Sequence, residues 1–185
     1  RLGIASVFLS ENSNVFDSKA AKDLLLILRA CLNPFSERNI LNAVATAIFA
    51  QTAADIQRIR LDENRWEYWV EKFIHYQRTW QKQGVLVMLH QLFLQEKITE
   101  KLYPTMVGKR LVTDLLHLAE LLQEAATLNE SEAALLRWFE KQIQGEDHQN
   151  KQQVRLESEL QLVKIVTIHK SKGLEYDLVW LPFVG

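Results

Sequence analysis

Cysteine is almost missing from this chain of 185 residues, with Cys31 alone. An internal disulfide is therefore excluded, which suits a reducing cytosol, and the residue's place in an apolar helical run reads as a small buried hydrophobe. A charge excess is missing too. With 22 Lys and Arg against 23 Asp and Glu, the net charge is −1, so nothing draws the whole molecule to a phosphate backbone and any contact with nucleic acid must be local. No apolar run approaches the roughly 18 residues of a spanning helix, and no secretory leader is visible. A soluble, cytoplasmic protein without membrane contact is the expectation.

Catalytic signatures are lacking as well. There is no HExxH, no paired cysteine, no GxSxG and no clustered metal-ligand spacing. Gly108-Lys109 ends like a phosphate-binding loop, but Arg110 stands where Ser or Thr is needed and Tyr103 where the first Gly belongs. No catalytic residue and no metal ligand is assigned. His75, His90, His117 and His148 are scattered over helical or linker positions and read as structural or solvated. No internal repeat or low-complexity segment is evident.

What is present is enough apolar residue, 48%, for a real core. Ile4 to Leu9 reads as a strand closed by the polar cluster from Ser10 to Asn14. From Ser18 the spacing of Ala21, Leu24, Leu25, Leu28, Ala30 and Leu32 predicts a helix that halts at Asn33-Pro34. Ser36 is a plausible N-cap, with a second helix from Asn39 to Ala50, and Thr52 with Asp55 forms a capping-box start for a third, through about Arg60. The longest helix carries Trp66, Trp69, Val70, Phe73, Ile74, Gln77 and Trp80 and ends at Gly84, followed by an apolar helix over 85–95. The helical spacing of Trp66, Trp69 and Trp80, and of Trp138 further on, favours packing over stacking on bases.

Pro104 and Gly108 predict a break. A stripe of Leu111, Leu115, Leu118, Leu122 and Ala125 then runs to about Asn129, which is expected to cap a last helix, Glu132 to Gln144, stopped by Gly145. After it the sequence turns wholly polar, as a mobile connection would. The order strand, about seven helices, linker, strand, loop, strand makes the chain mainly α, a helical domain inserted between strands of an incomplete α/β domain. With Arg1 in place of a start methionine and strand-like runs near both ends, the expectation is a piece of a longer protein.

Chemistry concentrates in the loop after Val166, set between two apolar runs where ligands collect in α/β sheets. Thr167 offers a hydroxyl to a phosphate, and His169 a donor and a flat ring. Lys170 and Lys172 add charge, and Gly173 permits close backbone approach. Glu175 can pair with the lysines or accept from a ribose hydroxyl.

The run Thr167, His169, Ser171, Lys172, Gly173, Leu174, Glu175 and Tyr176 resembles motif V of the UvrD/Rep-like superfamily 1 DNA helicases, Thr-x-His-x-(Ala/Ser)-Lys-Gly-Leu-Glu followed by an aromatic residue. Leu2-Gly3-Ile4, Val15-Phe16, Lys22 to Leu25 and Asn33-Pro34 are similar to the surroundings of motif IVa. Residues 114–125 and 132–143 resemble the inserted helical domain, called 2B, of the end-unwinding helicase–nuclease branch. The resemblance implies a RecA-like 2A segment over 1–34, a 2B-like domain over 35–145, a polar linker over 146–160 and a second 2A segment over 161–185. It implies that Thr167 and His169 contact single-stranded DNA, and that Gly173 and Glu175 lie near ATP and couple its hydrolysis to movement.

The parent protein would then use ATP and Mg to unwind duplex DNA from its ends in double-strand break repair, alongside two partner subunits. The phosphate loop, acidic metal-binding motif, motif VI arginine and nuclease domain of the family are not in this sequence. Inactivity alone is therefore expected, with no cofactor bound to this segment. Two alternatives stand beside this reading: an independent helical interaction module with no nucleotide role, or the same region of an AddA- or UvrD-type helicase.

Overall fold

The computed structural model describes residues 6–8, 14–145, 163–165 and 179–180. Contacts divide the chain into two units, Ser13–Glu157 and a second made of Arg1–Asn12 with Ser158–Gly185. In the second unit, β1 (Ser6–Phe8) pairs in parallel with β2 (Val163–Ile165), placing Ser6 opposite Val163 and Phe8 opposite Ile165. Val179 and Trp180, expected in the strand after the motif loop, are instead exposed and in no regular element. Among the described residues this sheet holds β1 and β2 alone.

The first unit is helical. A 3-10 turn, Val15–Asp17, leads into α1 (Lys19–Leu32), whose first turn is capped by Ser18 accepting from the Ala21 amide at 3.2 Å. Ala20, Ala21, Leu24, Ile27, Leu28, Ala30 and Cys31 are fully buried on this helix, and it packs against four others, α2 (Glu37–Val44), α4 (Glu63–Gln83), α7 (Met106–Ala126) and α8 (Glu132–Gln144). Although the sequence reading groups α1 with the N-terminal strand, its contacts lie within the helical unit. Burial pushes the Cys31 thiol up, which keeps it protonated and inert.

Two aromatic clusters fill the space around α1. Phe16 meets Trp138 and Phe139 edge-on at 5.8 and 5.9 Å, and Phe49 meets Trp69 and Phe73 at 5.3 and 5.6 Å. Trp69 and Trp80 are buried, while Trp66 and Trp138 pack half-buried against the core. The tryptophans of the helical unit thus pack, as their spacing predicts. Tyr76, absent from the expected stripe, is fully buried on the same helix.

Cap geometry fixes most boundaries. Thr52 and Asp55 make the capping box of α3 (Ala53–Leu61), and the Thr52 hydroxyl holds the Asp55 carboxyl below its usual range. Gly84, at φ 92°, separates α4 from α5 (Val85–Gln95), and Gly145, at φ 73°, ends α8.

Four expectations are corrected. The second helix starts at Glu37 and stops at Val44 rather than running from Asn39 to Ala50. Its extension is blocked because the Thr46 hydroxyl turns back to the Ala43 carbonyl at 2.6 Å and the buried Asp23 carboxylate accepts from the Ala47 amide at 3.2 Å. A short helix, α6 (Ile98–Leu102), precedes the expected break, anchored by buried Ile98. Gly108 does not interrupt; it sits in the first turn of α7, where its amide donates to the Thr105 side chain at 3.0 Å. The N-cap of α8 is Ser131, because Asn129 instead donates its carboxamide to the Ala125 carbonyl at 2.7 Å and closes the end of α7.

Gly108 is required for close approach. A Cβ there would stand 1.9 Å from the Leu102 carbonyl oxygen. Alanine's helix preference is worth about 1 kcal/mol, whereas overpacking against backbone costs about 1–3 kcal/mol or more, so the clash wins. Gly108→Ala is expected to lower stability by about 2 kcal/mol in urea unfolding followed by circular dichroism; a stabilised variant would refute the close approach.

Asp23 yields a pH prediction. Burial raises its folded carboxyl above the ordinary 3.8, and the Ala47 amide and Lys19 only partly oppose this. Its proton therefore contributes stability that is full below 3.8 and is lost as pH rises through the folded value. Asp23→Asn keeps an acceptor for Ala47 and does not ionise. Its stability relative to the parent chain should increase between mildly acidic and neutral pH; a gap that stays constant across that range would refute it.

Candidate functional site

The motif-loop residues Thr167, His169, Gly173 and Glu175 lie outside the described residues, as do His148 and the linker. What is described is the element before them. β2 ends at Ile165, two residues ahead of Thr167, so the loop follows the carboxyl end of a strand held in a parallel pair. A parallel ladder needs a crossover between its strands, and here that crossover contains all of the helices described above. The hydroxyl, imidazole, glycine and carboxylate of the loop fall within nine residues of one another in sequence.

In the helical unit the densest polar grouping joins α4, α5 and α6. Lys72 pairs with the nearly buried Glu96, and its ammonium lies 5.0 Å from the Trp69 ring centre, 5.5 Å from Tyr68 and 5.7 Å from Phe49. Lys101 approaches the other Glu96 oxygen at 3.7 Å, and the Tyr76 hydroxyl donates to Gln95 at 3.0 Å. Burial first, and then the Glu96 charge, pushes the Tyr76 phenol well up, so it remains a donor. Each charge here faces its opposite, and the group fastens three helices together rather than presenting a reactive atom.

The three described histidines sit in helices, as expected of structural or solvated residues. His75 and His90 are exposed, His75 meeting the Gln91 side chain at 2.8 Å, and His117 is buried in α7. Among the described residues no three His, Cys, Asp or Glu side chains gather to hold a metal ion. Nor is any helix there long and apolar enough to cross a membrane.

One cleft was not foreseen. Leu26 and Arg29 of α1 and Arg38, Asn39 and Asn42 of α2 line it. Its residues are separated by a turn and belong to two helices, so no local motif announces it.

Residues 94–184 match the family described as the UvrD-like helicase C-terminal domain. Over its full length the chain is 63% identical to the RecBCD enzyme subunit RecB of Haemophilus influenzae, covering 15% of that protein. It is 46% identical over 99% of its length to RecB of Escherichia coli, covering 16%, and 31% identical over 99% to RecB of Buchnera aphidicola from Acyrthosiphon pisum, again covering 16%. The chain thus spans a small part of the curated relatives it matches, and the match runs through both units and the motif loop alike. By that end-to-end likeness, the chain belongs to the RecB family of UvrD-like helicase proteins and corresponds to one segment of it.

Proposed function

We propose that this chain is the part of an ATP-dependent DNA helicase and exonuclease subunit in which DNA contact is coupled to the nucleotide site. The observation that carries this reading is the contiguous motif from Thr167 to Tyr176, set after a parallel-paired strand in a chain that aligns from end to end with RecB. Thr167 and His169 contact the translocating single strand. Gly173 brings the backbone close to the triphosphate, and Glu175 accepts from the ribose. The relatives are named as subunits of the RecBCD enzyme, so the partners in this reading are RecC and RecD, and the substrate is duplex DNA opened from its ends during double-strand break repair.

ATP and Mg belong to the complete motor. Phosphoryl transfer needs a phosphate cradle, a metal site and a transition-state cation together. In this reading the Walker loop, which the sequence lacks, and the other parts come from elsewhere in the parent, and the chain alone does not turn over ATP. Its own contribution is to orient the nucleotide and to sense the strand.

Two substitutions in the full-length protein test this. Glu175→Gln removes a charged acceptor and is expected to lower ATP turnover, or unwinding per ATP, by roughly ten-fold, about 1.4 kcal/mol of barrier; unchanged unwinding would remove the nucleotide role. His169→Ala should weaken single-strand binding and DNA-stimulated hydrolysis while leaving circular dichroism unchanged. If that variant unfolds instead, the histidine is structural.

A further inference from the structure

The cleft between α1 and α2 and the outer face of α1 share one chemistry. Because α1 packs on so many sides, its open face is narrow, and Lys19, Lys22, Leu26, Arg29 and Asn33 recur on it at spacings of three and four. From Lys22 to Arg29 is seven residues, about 10 Å along the axis. At the far end the chain turns through Pro34 and Phe35 into α2, where Arg38, Asn39 and Asn42 complete the cleft.

Neighbouring acids are mostly engaged. Glu140 holds Arg29 at 2.9 Å, Glu37 holds Arg60 at 2.9 Å, and Asp23 is buried with the Ala47 amide. Arg38 and Lys22 are exposed and have no ion-pair partner among the described residues. Arg29 is already neutralised, which leaves Arg38 and Lys22, with Lys19 one turn before Lys22, to supply the charge. Asn39 also donates to the Arg29 carbonyl at 3.4 Å, tying α2 to the end of α1.

Between the two arginines in sequence stands Phe35, with 75% of its surface in solvent. Single exposed apolar side chains are common. Here the ring follows buried Pro34 in the connection between the two cleft helices, three residues before Arg38 and four before Asn39 in sequence, so a flat apolar surface stands close along the chain to guanidinium and carboxamide donors. Guanidinium forks and carboxamides suit phosphate oxygens, and an aromatic ring suits an unpaired base. In a duplex the bases are stacked on each other, so a ring among phosphate donors favours a single strand.

We propose that the α1–α2 corner is a second contact for single-stranded DNA, where Arg38 and Lys22 take backbone phosphates and Phe35 stacks on a base. The proposal rests on the reading of the parent as a DNA motor and adds a site apart from the motif loop in sequence. It is tested in the full-length protein by equilibrium binding of labelled oligothymidylate, and of a blunt duplex, across a salt series.

Arg38→Gln and Lys22→Gln are each expected to reduce the slope of log affinity against log salt by about 0.7 for oligothymidylate. Phe35→Ala should weaken binding by roughly ten-fold with the slope unchanged, since stacking releases no counterions. Lys82→Gln, at the exposed end of α4, should do neither. An equal slope change in Lys82→Gln would overturn the proposal, as would weakening confined to the duplex, or loss of partner-subunit assembly with oligothymidylate binding intact. Should the protein bind oligothymidylate, be weakened by His169→Ala and yet ignore all three corner substitutions, the corner fails and the motor reading stands. If it binds no DNA, both fail.

Discussion

Helix α1 is the element around which the helical unit is organised, because it must bury apolar surface toward α2, α4, α7 and α8 at once. Small and branched side chains make this possible. Ala20, Ala21 and Ala30 let neighbours come close, while Leu24, Ile27 and Leu28 fill the space between them, all without exposure. Each fully buried leucine or isoleucine contributes about 1.5–3 kcal/mol, and a polar group on those faces would have to find a partner or be expelled. Asp23 shows the exception on its terms, for it remains in the core only with the Ala47 amide as donor. That bond also fixes where the chain leaves α2, so a single buried carboxylate shapes the next loop.

A different kind of contact joins α4, α5 and α6. Glu96 draws in Lys72 from α4 and Lys101 from α6, with the aromatic side chains of Tyr68, Trp69 and Phe49 around the lysine. A charge pair so poorly solvated is not clearly stabilising against an apolar replacement, but loss of one partner would strand the other. Its effect is therefore to fix the register of three helices. Next to it, Gly108 lets the Leu102 carbonyl pass within the space of a missing Cβ, which sets how α6 turns into α7.

Legibility in the sequence followed locality. The capping box at Thr52 and Asp55, the stops at Gly84 and Gly145 and the tryptophan stripe of α4 are set by neighbours within a few residues, and the structure has each of them. The end of α2 is not legible locally because its cause, Asp23, is 24 residues from Ala47. Likewise Asn129 looks like an N-cap in sequence, yet its carboxamide reaches back to Ala125, and either bond would satisfy a helix end. The resemblance to motif V rests on contiguous residues, Thr167 to Tyr176, and so needs no packing to be seen. The α1–α2 cleft could not be seen that way, since Arg29 and Arg38 become neighbours only through packing.

The near-zero net charge bears on how such a molecule can meet DNA at all. A uniform field is excluded, so contact depends on which cations remain after internal pairing. Many do not remain: Arg58 faces Asp55, Arg60 faces Glu37, Arg65 faces Asp62 and Arg110 faces Asp114. These pairs are mostly exposed and individually weak, yet together they offset the basic side chains of α3 and of the first turn of α4. Cations left over then carry more information than the total count. Lys22 and Arg38 are of that kind, Lys22 on the face that α1 leaves open between its packed sides and Arg38 in the first turn of the neighbouring α2, so the constraint that builds the core also decides where charge can face solvent.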